Sequence, residues 1–243
     1  MGEAFLWGLV AGSSLVIGGI LALRFRFSPR TIALIMAFGG GVLISALSFD
    51  LVAEATDLAG GHGTPVAGLF AGSLVFFAGD WLIDRHGGSA RKDSQGGQES
   101  GSPLSIVLGT VLDGIPESMV IGLTIVSGGE VSAAYLAAVF LSNLPESIGS
   151  STGLAAAGWK HARIIGLWAG VALVSGISSA LGYGLLEDAS DGTVAFVQTF
   201  AAGAILTMLA DTMLPEAYKH GGKLTGVIAT LGFATAYGIH LFE

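Results

Sequence analysis

The sequence predicts an all-α integral membrane protein with eight transmembrane helices. Hydrophobic residues make up 52% of the chain and charged residues only 12%, about half the charged share of a typical soluble domain. Several apolar segments reach the roughly 20 residues that cross a hydrocarbon core about 30 Å thick. The 39 glycines suit such a bundle, because small residues let helices approach closely in lipid. We expect residues 1–243 to form a single transmembrane domain.

Apolar windows predict the spans in order along the chain. They are 4–23, 31–55, 65–83, 103–127, 131–154, 162–186, 193–218 and 224–242. The connections between them are short except for residues 84–102, a polar stretch rich in Gly, Ser and Gln. This composition predicts a flexible loop between the third and fourth helices.

The basic residues predict the orientation of the chain. All ten Lys and Arg residues lie in the odd-numbered connections or within two residues of them, whereas the charged residues of the even-numbered connections are all acidic. Under the positive-inside rule the odd-numbered connections are cytoplasmic, which makes 84–102 a cytoplasmic loop and places both termini outside. The regular alternation also supports the count of eight spans. We expect a multi-pass protein of the plasma (inner) membrane.

Carboxylates lie near the middle of the fourth and fifth predicted spans. The fourth span contains Asp113 four residues before Glu117, and the fifth contains Ser142 and Asn143 shortly before Glu146. Residues four apart share one helix face, so each span presents a glutamate and a second oxygen donor in the same direction. An ionisable side chain at this depth costs roughly 2.5–3.5 kcal/mol. A divalent cation held between the two helices would offset that cost.

Each of these motifs also contains a proline, Pro116 in the fourth span and Pro145 in the fifth. Proline has no backbone donor, so it frees the carbonyl one turn earlier, at Leu112 and Leu141, and predicts a local kink. A freed carbonyl at membrane depth must be satisfied by protein, water or an ion. The two Pro-Glu-Ser segments lie on spans of opposite direction, and inverted repeats of this kind frequently form transporter sites.

Further acidic residues mark a predicted path through the bundle. Asp50 and Asp211 lie deep enough to be expected as additional metal ligands, because buried ionisable residues in membranes are usually functional. Three others lie nearer the span ends and are expected to line the path, with a solvated interfacial carboxylate as the alternative. These three are Glu54 in the outer part of the second span, Asp80 near the inner end of the third and Glu216 near the inner end of the seventh.

The remaining sequence offers no catalytic machinery. It contains no HExxH motif and no nucleophile–base pair at mid-span, so an enzyme is not expected. It has no cysteine, which excludes thiolate ligands. Four of the five histidines, among them His220, fall in connections where a solvated ring is expected, and His240 near the end of the last span has no assigned role.

With these motifs the chain resembles the ZIP (Zrt/Irt-like) family of divalent-metal transporters. The resemblance covers nearly the whole chain: eight spans, external termini, a long cytoplasmic connection after the third span, and paired metal motifs in spans four and five. Residues 214–217, Leu-Pro-Glu-Ala, look like the LPEA segment of that family. The resemblance implies an inverted 3+2+3 arrangement of helices and movement of metal into the cytosol.

The metal motifs depart from the family's pattern. Span four typically reads His-Asn-x-Pro-Glu-Gly, and here Asp113, Gly114 and Ser118 replace the His, Asn and Gly. In span five Ser142 replaces the usual His or Gln, and in span seven Asp211 stands where the family has a histidine. Carboxylate and carbonyl oxygens suit harder cations such as Mn²⁺, whereas imidazole suits Zn²⁺, Cu²⁺ and iron. We therefore expect an all-oxygen site that accepts Mn²⁺ or Fe²⁺ as well as Zn²⁺.

The sequence thus predicts a transporter that moves divalent metal cations of the Zn/Mn/Fe class into the cytoplasm by alternating access. Its central oxygen-rich site lies between helices 4 and 5, with Asp113, Glu117, Asn143 and Glu146 as core ligands and Ser142 as a weaker one. A cation channel, or a carrier of a different cation, would use the same carboxylates and stays open as an alternative. The expected partners are the lipid bilayer and the metal ion as substrate; no other cofactor and no nucleic acid is expected, and a homodimer is left open.

Overall fold

The computed structural model describes residues 1–85 and 103–242, with only the backbone described at 103–108 and 128. These residues form eight helices and no strand. The helices are α1 Gly2–Arg24, α2 Pro29–Leu58, α3 Thr64–Ile83, α4 Pro103–Gly128, α5 Ala133–Ala156, α6 His161–Leu186, α7 Asp191–Gly221 and α8 Leu224–His240. The predicted flexible loop 84–102 lies outside the described residues from position 86 onward.

Six of these eight helices are long and apolar enough to cross a membrane. Of the other two, α8 is apolar but has only 17 residues, and α5 has 24 residues but carries polar side chains that lower its hydropathy. The polar helix α5 packs against α1, α2, α4 and α8, so much of its surface is covered by protein. The prediction of an all-α integral membrane fold is confirmed, with each predicted span represented by one helix.

Serine side chains begin several of the helices at the positions that local sequence favours. Ser28 accepts a hydrogen bond from the backbone N–H of Thr31 over 3.1 Å, and Pro29 occupies the first helical position of α2. Ser190 accepts from the N–H of Thr193 over 3.4 Å at the start of α7. A side-chain oxygen at this position satisfies a donor that the helix leaves unpaired, and a proline there removes one.

Both α2 and α7 contain a π-helical segment, which the sequence analysis did not predict. The segments are Leu47–Ala53 in α2 and Leu209–Met213 in α7. In a π-helix each turn is wider because the hydrogen bonds join residues five apart, and such segments are frequent at functional sites. The wider turn changes which side chains share a face, so helical periodicity read from the sequence fails here.

The packing of the helices follows an internal repeat. Each helix has a counterpart: α1 corresponds to α6, α2 to α7, α3 to α8 and α4 to α5. When each helix of a contacting pair is replaced by its counterpart, the result is again a pair in contact. The α3–α7 pair becomes α8–α2, the α1–α5 pair becomes α6–α4, and the α2–α5 pair becomes α7–α4. The chain thus consists of three helices, a central pair, and three helices that correspond to the first three. This is the 3+2+3 arrangement that the family resemblance implied.

Close glycine contacts occupy equivalent places in the two halves of the repeat. Gly41 of α2 packs against the backbone carbonyl of Ala229 in α8, and Gly203 of α7 packs against the carbonyl of Leu69 in α3. A Cβ atom at either glycine would overlap the facing carbonyl oxygen. In both α2 and α7 the π-helical segment begins six residues after this glycine, so the local irregularity repeats together with the packing.

The contacts also divide the bundle into two groups of four helices. Helices α1, α4, α5 and α6 pack chiefly on one another, as do α2, α3, α7 and α8. The two groups meet mainly where α2 contacts α5 and where α4 contacts α7. The central helices that carry the predicted metal motifs therefore face the boundary between the groups.

We predict that Gly41→Ala and Gly203→Ala each destabilise the protein, because the added methyl group must displace a backbone carbonyl of the neighbouring helix. Overpacking of this kind costs about 1–3 kcal/mol, which should appear as a lower melting temperature in detergent. Gly170→Ala in α6 is the matched control, since its added Cβ meets no atom within 4 Å. A melting temperature for the two variants equal to that of the control would contradict the packing described.

Candidate metal site

A small cavity lies where α2, α4, α5 and α7 meet. Its volume is about 10 Å³, close to the space that one water molecule needs. It is lined by Met36, Glu117, Ser142, Glu146, Met208 and Met213. The structure therefore brings together three of the predicted ligands, Glu117 from α4 and Ser142 and Glu146 from α5. We refer to this space as the central cavity.

The other two core ligands predicted from the sequence lie close by in the chain but do not line the central cavity. Asp113 precedes Glu117 by one helical turn and is 3% exposed, and Asn143 follows Ser142 and is 6% exposed. Within the described ranges, no group of three or more His, Cys, Asp or Glu side chains could hold a metal ion. The central cavity thus presents two carboxylates and a hydroxyl in this conformation.

Three methionines complete the lining, and the sequence analysis missed all of them. Met208 and Met213 stand at the two ends of the π-helical turn of α7, where residues five apart face the same way. Met36 approaches from α2. A thioether sulfur is a soft donor that suits softer metals than carboxylate oxygen does. The all-oxygen site stays a prediction, and the lining adds three methionine side chains to the oxygen donors.

The backbone around Ser142 is held by a close approach of α2. A Cβ at Gly39 would lie 3.1 Å from the carbonyl oxygen of Leu141 and 3.1 Å from the Cα of Ser142. The Leu141 carbonyl is the one freed by Pro145, so protein covers it, as membrane depth requires. The Ser142 hydroxyl donates to the carbonyl of Val139 over 3.0 Å, which leaves its oxygen lone pairs for a ligand. Both α4 and α5 remain helical through their prolines.

A second, much larger cavity opens at the far ends of α2, α4 and α8 and the start of α5. Its volume is about 700 Å³, and on the predicted orientation it faces the outside, so we refer to it as the outer vestibule. Its polar lining consists of Asp50, Glu54, Thr124, Glu130, Ser132 and His240. The excess of acidic side chains gives this cavity a negative potential, which attracts cations.

Polar contacts between distant helices fix the acidic residues of the outer vestibule. Nδ1 of His240 lies 2.8 Å from Oδ1 of Asp50, and the His240 ring stacks on Phe49 with centroids 5.4 Å apart. Glu54 accepts a hydrogen bond from Nε2 of Gln198 over 3.0 Å. The predicted pair Asp50 and Glu54 thus lines one cavity. The sequence analysis missed the contacts that His240 and Gln198 make with these two residues, because the partners lie far apart in the sequence.

The remaining predicted residues line neither the central cavity nor the outer vestibule. Asp211 lies between the two methionines of the π-helical turn and is exposed on the surface of α7. Asp80 is half-buried near the end of α3. Glu216 contacts Nε2 of His220 over 3.0 Å and Nζ of Lys219 over 3.6 Å. The expectation of a solvated His220 is wrong, because its ring is largely buried against this carboxylate in the last turn of α7.

Two known proteins are similar to the chain over nearly all of its length. A protein of Arabidopsis thaliana provisionally named a zinc transporter is 25% identical over 242 residues, which cover 98% of this chain and 38% of that protein. Zinc transporter ZIPB of Bordetella bronchiseptica is 24% identical over 260 residues, which cover 100% of this chain and 80% of that protein. The chain therefore spans well under half the length of the plant relative. No family model matches the chain.

The fold and the site define a multi-pass helical membrane protein with two carboxylates facing one small internal cavity. The two relatives confirm the resemblance to the ZIP family. The sequence analysis based this resemblance on the motifs of spans four and five and on the Leu-Pro-Glu-Ala segment. The relatives support membership of the ZIP family.

We predict that Asp50 and His240 are energetically coupled. Asp50→Asn and His240→Gln should each lower the free energy of unfolding, whereas the double variant should lose less than the sum, by about 0.5–1.5 kcal/mol for one hydrogen bond. The measurement is a double-mutant cycle by denaturation with SDS in mixed micelles. Strictly additive losses would contradict the contact between α2 and α8.

Proposed function

We propose that the protein is a transporter that carries divalent metal cations across the membrane and binds them between Glu117 and Glu146. The observation that carries this proposal is that carboxylates from two different helices face one cavity of ionic size at the boundary between the two helix groups. Two facing negative charges at membrane depth repel each other and are poorly solvated. One divalent cation would balance both charges.

The proposed ligands beyond the glutamates follow from the lining of the central cavity. Ser142 supplies a third oxygen, and Met36, Met208 and Met213 supply sulfur. Asp113 and Asn143 are proposed to join the metal after turning toward the cavity. This mixture supports metals of intermediate softness, so we propose Zn²⁺, Mn²⁺ and Fe²⁺ as substrates and no other cofactor. Both relatives carry zinc in their names, which supports Zn²⁺ among the three.

Transport by alternating access is supported by the contrast between the two cavities. The outer vestibule is wide, the central cavity holds little more than one ion, and buried apolar side chains lie between them. A carrier in one of its two states is expected to show a wide cavity on one side of a nearly closed binding site, which supports a carrier, and a cation channel stays the alternative. The two helix groups meet around the central cavity, and movement of one group against the other is the proposed way to open it to each side in turn.

The direction of transport is proposed to be inward, across the plasma membrane with both termini outside. On this orientation Asp50 and Glu54 receive the cation in the outer vestibule, and Asp80 and Glu216 lie toward the cytoplasmic release side. Asp211 has no contact with the central cavity in this conformation. It is proposed to act only if the π-helical turn of α7 rotates.

We predict that Glu117→Gln and Glu146→Gln each reduce metal uptake at least tenfold in proteoliposomes. Each amide keeps the size of the side chain and removes one of the two charges that would hold a divalent cation. Asp57→Asn, at an exposed position near the end of α2, is the matched control and should leave uptake unchanged. Normal uptake by both glutamine variants would refute the proposed site.

We predict that several divalent metals, among them Zn²⁺, Mn²⁺ and Fe²⁺, raise the melting temperature of the purified protein. Met208→Leu and Met213→Leu should weaken stabilisation by Zn²⁺ more than by Mn²⁺, because the substitutions remove a soft donor at nearly constant volume. Metal-dependent thermal shift with Zn²⁺, Mn²⁺, Fe²⁺, Co²⁺, Cd²⁺ and Mg²⁺ provides the measurement. Stabilisation by zinc alone would rule out the proposed range of substrates.

A further inference from the structure

A single tyrosine lies between the outer vestibule and the central cavity. Tyr135, in the first turn of α5, is 1% exposed and belongs to the apolar cluster that also contains Met36, Leu47, Val120 and Ala138. Met36 of this cluster lines the central cavity, so the cluster adjoins it. Tyr135 brings a polar atom into the apolar side chains that separate the two cavities.

Hydrogen bonds to the floor of the outer vestibule fix the position of Tyr135. Its backbone N–H donates to the Ser132 hydroxyl over 3.0 Å, and the N–H of Ser132 donates to the hydroxyl of Thr124 over 3.3 Å. Ser132 and Thr124 both line the outer vestibule. Seven residues after Tyr135, on the same face of α5, Ser142 lines the central cavity. Two helical turns, or about 10 Å, therefore join the two cavities through this side chain.

The hydroxyl of Tyr135 has no hydrogen-bond partner among the described residues. The carboxylates of Glu117 and Asp50 both lie near enough to act on it electrostatically, one on the side of the central cavity and the other on the side of the outer vestibule. A buried hydroxyl without a partner destabilises a folded protein, and phenylalanine would fill the same space without that cost. A polar group kept in this position calls for an explanation other than packing.

We propose that the Tyr135 hydroxyl is a transit ligand for the divalent cation on its way from the outer vestibule to the central cavity. Its oxygen coordinates the cation, or one water of the cation's hydration shell, while the apolar cluster is open. A phenol oxygen binds a cation in its neutral form, so no proton has to leave. This single neutral oxygen binds a cation more weakly than the two carboxylates of the central cavity do. The cation is therefore held only briefly at Tyr135 and passes on. This inference rests on the proposed transport function.

The test is the Tyr135→Phe variant, which removes one oxygen atom and keeps the ring. The initial rate of Mn²⁺ or Zn²⁺ uptake into proteoliposomes should fall at least fivefold, while the metal concentration that gives half of the thermal shift changes less than twofold. Without metal, the melting temperature should stay equal or rise, because an unpaired buried hydroxyl has been removed. Tyr218→Phe, on the exposed surface of α7, is the matched control and should change none of the three quantities.

Three results would overturn the inference. Uptake at the normal rate would show that the hydroxyl takes no part in transit. A lower melting temperature without metal would show that the hydroxyl makes a structural hydrogen bond. A loss of metal affinity as large as the loss of rate would place Tyr135 in the central site. Failure of the proposed function itself would instead appear in the unmodified protein, which would then take up no metal.

Discussion

The burial of carboxylates from α4 and α5 around one small cavity is the constraint on which the rest of the structure depends. Glu117 is 2% exposed, and Glu146 faces the same cavity from the neighbouring helix. In a medium of low dielectric such charges interact far more strongly than they do in water, and neither can be moved to lipid. The surrounding helices must therefore hold α4 and α5 close together, and on the proposed function the cavity between them holds the compensating positive charge.

The internal repeat meets this requirement with backbone contacts. Glycines at Gly39, Gly41 and Gly203 let helices approach until one backbone touches the next, which is how small residues replace the hydrophobic effect inside a bilayer. The central pair α4 and α5 belongs to one helix group and contacts the other through α7 and α2, which are equivalent helices of the repeat. Because each half of the repeat offers its central helix an equivalent neighbour, the cavity lies at the boundary between the two helix groups.

Much of this architecture could be predicted from the sequence, because its signals are local. Apolar windows predicted all eight described helices. Spacing by four residues predicted that Ser142 and Glu146 share one face of α5, and both line the central cavity with Glu117. The sequence analysis missed Met208 and Met213 and expected Asp211 as a ligand, although Asp211 lies outside the cavity. The reason is the π-helical turn, which changes which residues of α7 share a face and which no local residue preference predicts. The contact between His240 and Asp50 joins residues 190 positions apart, which periodicity cannot reveal.

The central claim is that one divalent cation neutralises both carboxylates of the central cavity. Its most direct test is a crystal structure grown with Mn²⁺ or Cd²⁺ and measured for anomalous scattering. The account predicts an anomalous peak within about 2.0–2.6 Å of carboxylate oxygens of both Glu117 and Glu146. A metal-saturated crystal with no peak between these two residues, or with a peak confined to the outer vestibule, would contradict it.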